Sequence, residues 1–137
     1  MIKRLTTLMF FAALTCPVLA LDSPSVAVET LVRGSASWDG TPLPAYPAGK
    51  PQLTILRIQI PPGTTLPLHK HPVINAGVLT KGKLTVVTEK NETLHMQAGD
   101  PIIEVVDKWH YGKNEGTEPA EIIVFYVGTA ELPLAIK

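Results

Sequence analysis

The sequence predicts an all-β fold, a single antiparallel β-barrel or jelly roll, and three observations point to it. Short apolar runs recur at roughly 8 to 12 residues, the spacing of strands in sandwiches and barrels. Turn formers stand between the runs, with 13 prolines and 10 glycines in a chain of 137 residues. No segment between them keeps the 3.6-residue apolar period of a helix.

The first twenty residues stand apart from that pattern. Lys3 and Arg4 make a positive start, Leu5 to Leu14 is mostly apolar, and Val18-Leu19-Ala20 places small or tolerated residues where a signal peptidase reads. Residues 1–20 are therefore expected to be a signal peptide cleaved after Ala20, with residues 21–137 as the mature domain, periplasmic or secreted. The alternative is an uncleaved anchor, but Thr6, Thr7, Thr15 and Pro17 interrupt a run already short against the roughly 20 apolar residues of a membrane span. A lipid-modified Cys16 is disfavoured by Thr15 before it, where a smaller residue is usual. Cleavage takes two of the 12 basic groups and the single cysteine, leaving 10 bases against 12 acids. The mature domain then has no thiol for a disulfide, a metal or a nucleophilic attack.

Along the mature chain, Val26 to Arg33 alternates loosely and reads as a first short strand. Gly34 to Pro51, rich in Gly, Pro and Ser, is a long loop whose Trp38 and Tyr46 either cap the barrel mouth as an aromatic lid or pin the loop. Strands are expected at Leu53 to Ile60, Val73 to Thr80, Lys83 to Thr88, Thr93 to Gln97, Ile102 to Val106 and Glu121 to Val127. The breaks fall at Pro61-Pro62-Gly63, Gly82, Lys90-Asn91, Gly99-Asp100-Pro101 and Lys113 to Pro119. Charge excludes one class of function: the 12 lysines and arginines are scattered singly among as many acids, so the basic footprint of a nucleic-acid binder is missing.

In PLHKHPVINAG, residues 67–77, His69 and His71 lie in an extended segment, so both project to one face and Lys70 to the other. If that face is the lumen, two imidazoles can converge on one cation through neutral ring nitrogens. An HxH pair by itself fits two surface or hydrogen-bonded histidines as well. The flanking glycines add to it. Gly63, five residues, His69, one residue, His71 and then Gly82 resembles the first motif of the cupin superfamily. Gly99, His110 eleven residues later, and Asn114 after three intervening residues resemble the second. The resemblance runs from about Leu53 to Val127 and is to small single-domain bacterial cupins of the conserved-barrel (cupin 2) type.

That resemblance implies a divalent metal held by His69, His71 and His110. It also exposes departures. The family's acidic ligand falls at Asn75, after three intervening residues beyond His71 in the motif, leaving an amide as a weak or absent fourth donor. The proline and glycine usual before the third histidine are Val105 and Asp107, a matter of turn geometry. Three neutral imidazoles leave a divalent ion its full charge, a setting for a small anionic or chelating ligand. Imidazole suits iron, zinc, manganese, copper and nickel alike, so the metal is not specified. Three-histidine cupins include iron-dependent dioxygenases, while other cupins are isomerases or have no activity.

The remaining candidates have plainer readings. His95 lies outside both motifs and is expected to be exposed or structural. Trp109 and Tyr111 point opposite to His110 and pack under the sheet, and Asn114 fixes the turn after it. Glu104 is the nearest acid in the second motif, a candidate base but more simply a solvated strand residue, so no convincing general acid or base faces the lumen. Two functions stay open: an exported metalloenzyme with dioxygenase-like chemistry, and a metal-binding or ligand-sensing module without turnover. No membrane contact is expected after cleavage, and the apolar alternation of LTILRIQI predicts a homodimer through a strand edge.

Overall fold

A computed structural model describes residues 25–137, and no helix occurs among them. The signal-peptide expectation for residues 1–20 lies outside the described residues. Seven strands form two sheets: β1 (Pro51–Ile60), β2 (Ile74–Lys81), β3 (Lys83–Thr88), β4 (Thr93–Gln97), β5 (Pro101–Ile103), β6 (His110–Lys113) and β7 (Ala120–Thr129). One sheet has the order β1-β7-β2-β5 and the other β4-β3-β6, with every pairing of named strands antiparallel.

The two-residue period decides what each strand turns inward. In β1, Leu56, Ile58 and Ile60 face the core while Leu53, Ile55, Arg57 and Gln59 face out. In β7, Ile122, Val124 and Tyr126 are buried, and the register sets Ile58 against Ile122 and Leu56 against Val124. β2 continues the layer, with Gly77 opposite Val124 and Asn75 opposite Tyr126. From the second sheet, Leu84, Val86 and Met96 complete one apolar core with Ile60, Leu79, Ile102 and Ile122. Burial of such side chains contributes about 1.5 to 3 kcal/mol each, the main term holding the sheets together.

Gly82 joins β2 to β3 in a turn only glycine tolerates. Its φ is +74°, and an added Cβ would stand 2.7 Å from the carbonyl oxygen of Pro119.

Two expectations change in detail, and one open alternative is decided. Val26 to Arg33 is not a strand: its residues are exposed and pair with nothing among the described residues, because alternation without a partner edge leaves backbone groups to water. The expected strand to Val106 ends at Ile103, and a separate strand begins at His110. The long loop is a buttress rather than a lid. Tyr46 is 75% exposed, whereas Trp38 packs on the core. The Trp38 amide donates to the Ile103 carbonyl at 2.9 Å, and Asp39 pairs with Lys108.

Candidate metal centre

The centre is assembled by one reciprocal backbone pair. His69 and His110 exchange both N–H···O=C bonds at 2.9 Å, as directly opposed residues of an antiparallel ladder do, which puts their side chains side by side on the inner face. His71, two residues on, returns to that face. It is fixed there by the Asp107 amide, which donates to its carbonyl at 2.8 Å. Lys70, between them, turns outward to Asp107 at 3.4 Å and lies over the Trp109 ring, which is half-buried beneath it.

The imidazoles of His69, His71 and His110 stand with ring centroids 4.5 to 5.0 Å apart, and one ring nitrogen from each lies within 4.8 Å of the others. Each Nδ1 is engaged behind: His69 with Pro67 O at 2.8 Å, His71 with Leu134 O at 2.7 Å and His110 with Lys108 O at 2.9 Å. A carbonyl oxygen only accepts, so each Nδ1 carries the hydrogen and each Nε2 keeps its lone pair. Burial pushes all three pKa values down, His71 to about 4, so the rings are neutral at pH 7. Three lone pairs therefore face one another with no proton among them. That is the donor set and the backbone support of a histidine metal site, and the separations approach the roughly 3 to 4 Å between donors sharing an ion at about 2.1 Å.

Asn75 and Glu104 flank the imidazoles. Asn75 is 1% exposed; its Nδ2 makes one long bond of 3.4 Å to Val73 O, and its Oδ1 has no partner. The expectation of a solvated Glu104 is wrong. Glu104 is buried, Oε2 has no hydrogen-bond partner and stands 3.7 Å from His110 Nε2. Burial pushes its carboxyl up to about 7. With His110 neutral, this contact is not an ion pair. The barrel interior thus does hold a carboxyl group beside the imidazoles and the amide.

The cavity beneath is small, about 60 Å³. It is lined by the three histidines, Asn75, Glu104 and Tyr126 together with the apolar Ile58, Ile60, Leu84, Val86, Ile122 and Val124. The Tyr126 hydroxyl, raised to about 12 by burial, stays protonated. His95 lies elsewhere, exposed and 3.2 Å from Thr85 Oγ1, outside the cluster as expected. Asn114 acts as the turn anchor the sequence assigned: Nδ2 donates to Ile60 O at 2.9 Å and Glu118 O at 2.8 Å, and Oδ1 accepts from Gly116 N at 2.9 Å.

Residues 56–126 match the family model of the cupin domain. No curated protein sequence matches the chain. Among solved structures, the chain is similar to the DMSP lyase DddQ from Ruegeria pomeroyi, with TM-score 0.55, 18% identity and coverage of 71% of this chain and 46% of that one. An RmlC-like cupin family protein with a double-stranded β-helix fold from Methanocaldococcus jannaschii aligns with TM-score 0.52, 20% identity and coverage of 56% and 70%. The oxalate decarboxylase of Bacillus subtilis, a protein with Mn(II) centres, aligns with TM-score 0.53, 23% identity and coverage of 62% and 23%. The chain spans about half the length of the first of these, and at such identities the likeness is one of fold.

Proposed function

Because the chain belongs to the cupin family, we propose that it is a small exported metalloenzyme that holds one divalent transition metal through His69, His71 and His110 and acts on a small anionic or chelating substrate. The observation that carries this reading is the set of three neutral imidazoles whose Nδ1 hydrogens are tied to backbone carbonyls, leaving three Nε2 lone pairs on one centre. When bound, such an ion supplies Lewis-acid chemistry and, if it is iron or copper, redox chemistry of the dioxygenase kind.

The chain's own residues set the substrate. The three histidines line the cavity with Tyr126, whose ring lies 5.5 Å from that of His71, so a carboxylate, enolate or β-diketone-like oxygen pair is received beside them. The apolar lining of isoleucine, leucine and valine disfavours water and takes a short apolar body. A volume of about 60 Å³ admits only a few heavy atoms and equally suits a module that binds a small anion without turnover.

Elemental analysis of tag-free protein tests the site. His69→Ala and His110→Ala should abolish stoichiometric metal and His95→Ala should keep it; equal metal in all three would sink the proposal. Oxygen uptake by the iron-reconstituted protein with small β-diketones then separates the enzyme from the binding module.

Two further parts belong to the proposal. Export is supported by the sequence of residues 1–20, and a mature chain that keeps Met1 would refute it. A homodimer is supported by β1 at the edge of its sheet, where Leu53 and Ile55 are 74% and 61% exposed. A monomer mass by light scattering at micromolar concentration would exclude it.

A further inference from the structure

We propose that Glu104, from the second motif, supplies the carboxylate oxygen that position 75 lacks, as a fourth metal donor beside His69, His71 and His110. The inference rests on the metal-binding reading above and deepens it.

Four observations converge. Oε2 of Glu104 is buried without a hydrogen-bond partner and stands 3.7 Å from His110 Nε2, beside the imidazole cluster but outside the three residues whose ligand atoms lie within 4.8 Å of one another, so a side-chain shift is needed to bring it onto a shared ion. No lysine or arginine forms an ion pair with Glu104 among the described residues. A buried carboxylate with no cation and one oxygen without a donor is costly, and a divalent ion between it and the imidazoles removes that cost. Position 104 is also the spatial neighbour of position 75. β2 and β5 run antiparallel with Ala76 opposite Ile103, and the Glu104 amide donates to the Asn75 carbonyl at 3.1 Å. A carboxylate from either strand therefore reaches the same corner of the cavity.

The fourth observation is that the backbone of Glu104 is held on both sides. Its amide is fixed by Asn75, and its carbonyl accepts from the Ser37 hydroxyl at 2.8 Å, where Ser37 is itself 5% exposed. The long loop thus braces this carboxylate from behind, which is what a preorganised ligand needs. A shell of three imidazoles and one carboxylate lowers the formal charge of a divalent centre from two to one. The amide at position 75 is then a compensated loss, with the acid moved across one strand pairing.

The test uses Co(II) alone as the probe, bound to the mature chain and followed by its visible d–d absorption and by competition with a chelator. Glu104→Gln should weaken Co(II) binding by about 100-fold or more, beyond the 10- to 100-fold typical of outer-shell changes, and should alter the absorption bands. The double variant Asn75→Glu/Glu104→Gln, which returns the acid to the first motif, should recover most of the affinity and a parent-like spectrum. Thermal unfolding of each metal-free variant checks the barrel. A Glu104→Gln protein that binds Co(II) as tightly as the parent, with unchanged bands, would overturn the role of Glu104 and leave the three-histidine site standing. A parent that takes up no Co(II) would overturn both.

Discussion

The two motifs, residues 63–82 and 99–114, meet at one centre but contribute differently. The first delivers two imidazoles on one strand period and, at Asn75, a side chain with a single long hydrogen bond. The second delivers one imidazole, the only buried carboxylate at the centre among the described residues, and Asn114, whose side chain makes three short bonds. The first motif therefore brings mostly candidate donors, and the second brings candidate donors and scaffold together. The contrast teaches that the polar groups of the centre are gathered where strands meet, so the first motif lacks a buried acid while one stands on the neighbouring segment.

The sharpest way to break this contrast is to truncate the two asparagines. Asn114→Ala strands two carbonyls and an amide and should cost about 2 to 4 kcal/mol in urea unfolding. Asn75→Ala removes an already unsatisfied oxygen and should stay within about 1 kcal/mol of the parent. Equal losses would erase the distinction.

A pH series on metal-free protein sharpens it further. The depressed histidines bind fewer protons in the native than in the unfolded state, so their contribution is present above about 6.5 and is lost as pH falls towards their folded values, about 4 for His71. Glu104 has the opposite sign. Its folded pKa of about 7 lies above the unfolded value of 4.5, so its contribution is present below 4.5 and is lost as pH rises through about 7. Between those limits the two oppose each other. Glu104→Gln removes the opposition and should steepen the acid-side loss by up to about 1.4 kcal/mol per pH unit, read from urea midpoints in the presence of a chelator.

The smallest effect belongs to Asp107, which takes a φ of 53° at the position where the family usually carries glycine. Asp107→Gly relieves that left-handed backbone and should raise stability by about 0.5 kcal/mol, since glycine's own entropy and the lost pairing with Lys70 offset part of the gain.

Much of this was legible in the residues because the period was clean. LTILRIQI turns alternate side chains in, the glycines mark the turns, and the spacing of His69, His71 and His110 survives folding as a cluster. Glu104 was hidden for a local reason. Pro101-Ile-Ile-Glu-Val-Val is apolar at both parities, so no alternation reveals which face is inside, and the acid defaults to solvent. Its true face follows from Ile102, buried two residues earlier, and from the β2–β5 pairing, which only the folded sheet supplies. The buttress role of the long loop was equally out of reach, since the Ser37–Glu104 bond joins residues 67 apart.

The strand-like return of residues 134–136 supports the site from behind. Leu134 holds the His71 ring from behind, and Lys70 and Ile136 exchange backbone bonds at 3.0 and 2.9 Å, yet most of residues 130–137 are exposed. A segment with so little burial frays far more readily than the barrel unfolds. Each fraying event frees the His71 tautomer and loosens one donor while the other imidazoles stay paired through the His69–His110 ladder. If the centre holds an ion, loosening this short strap should shorten the ion's residence time while leaving the stability of the barrel unchanged.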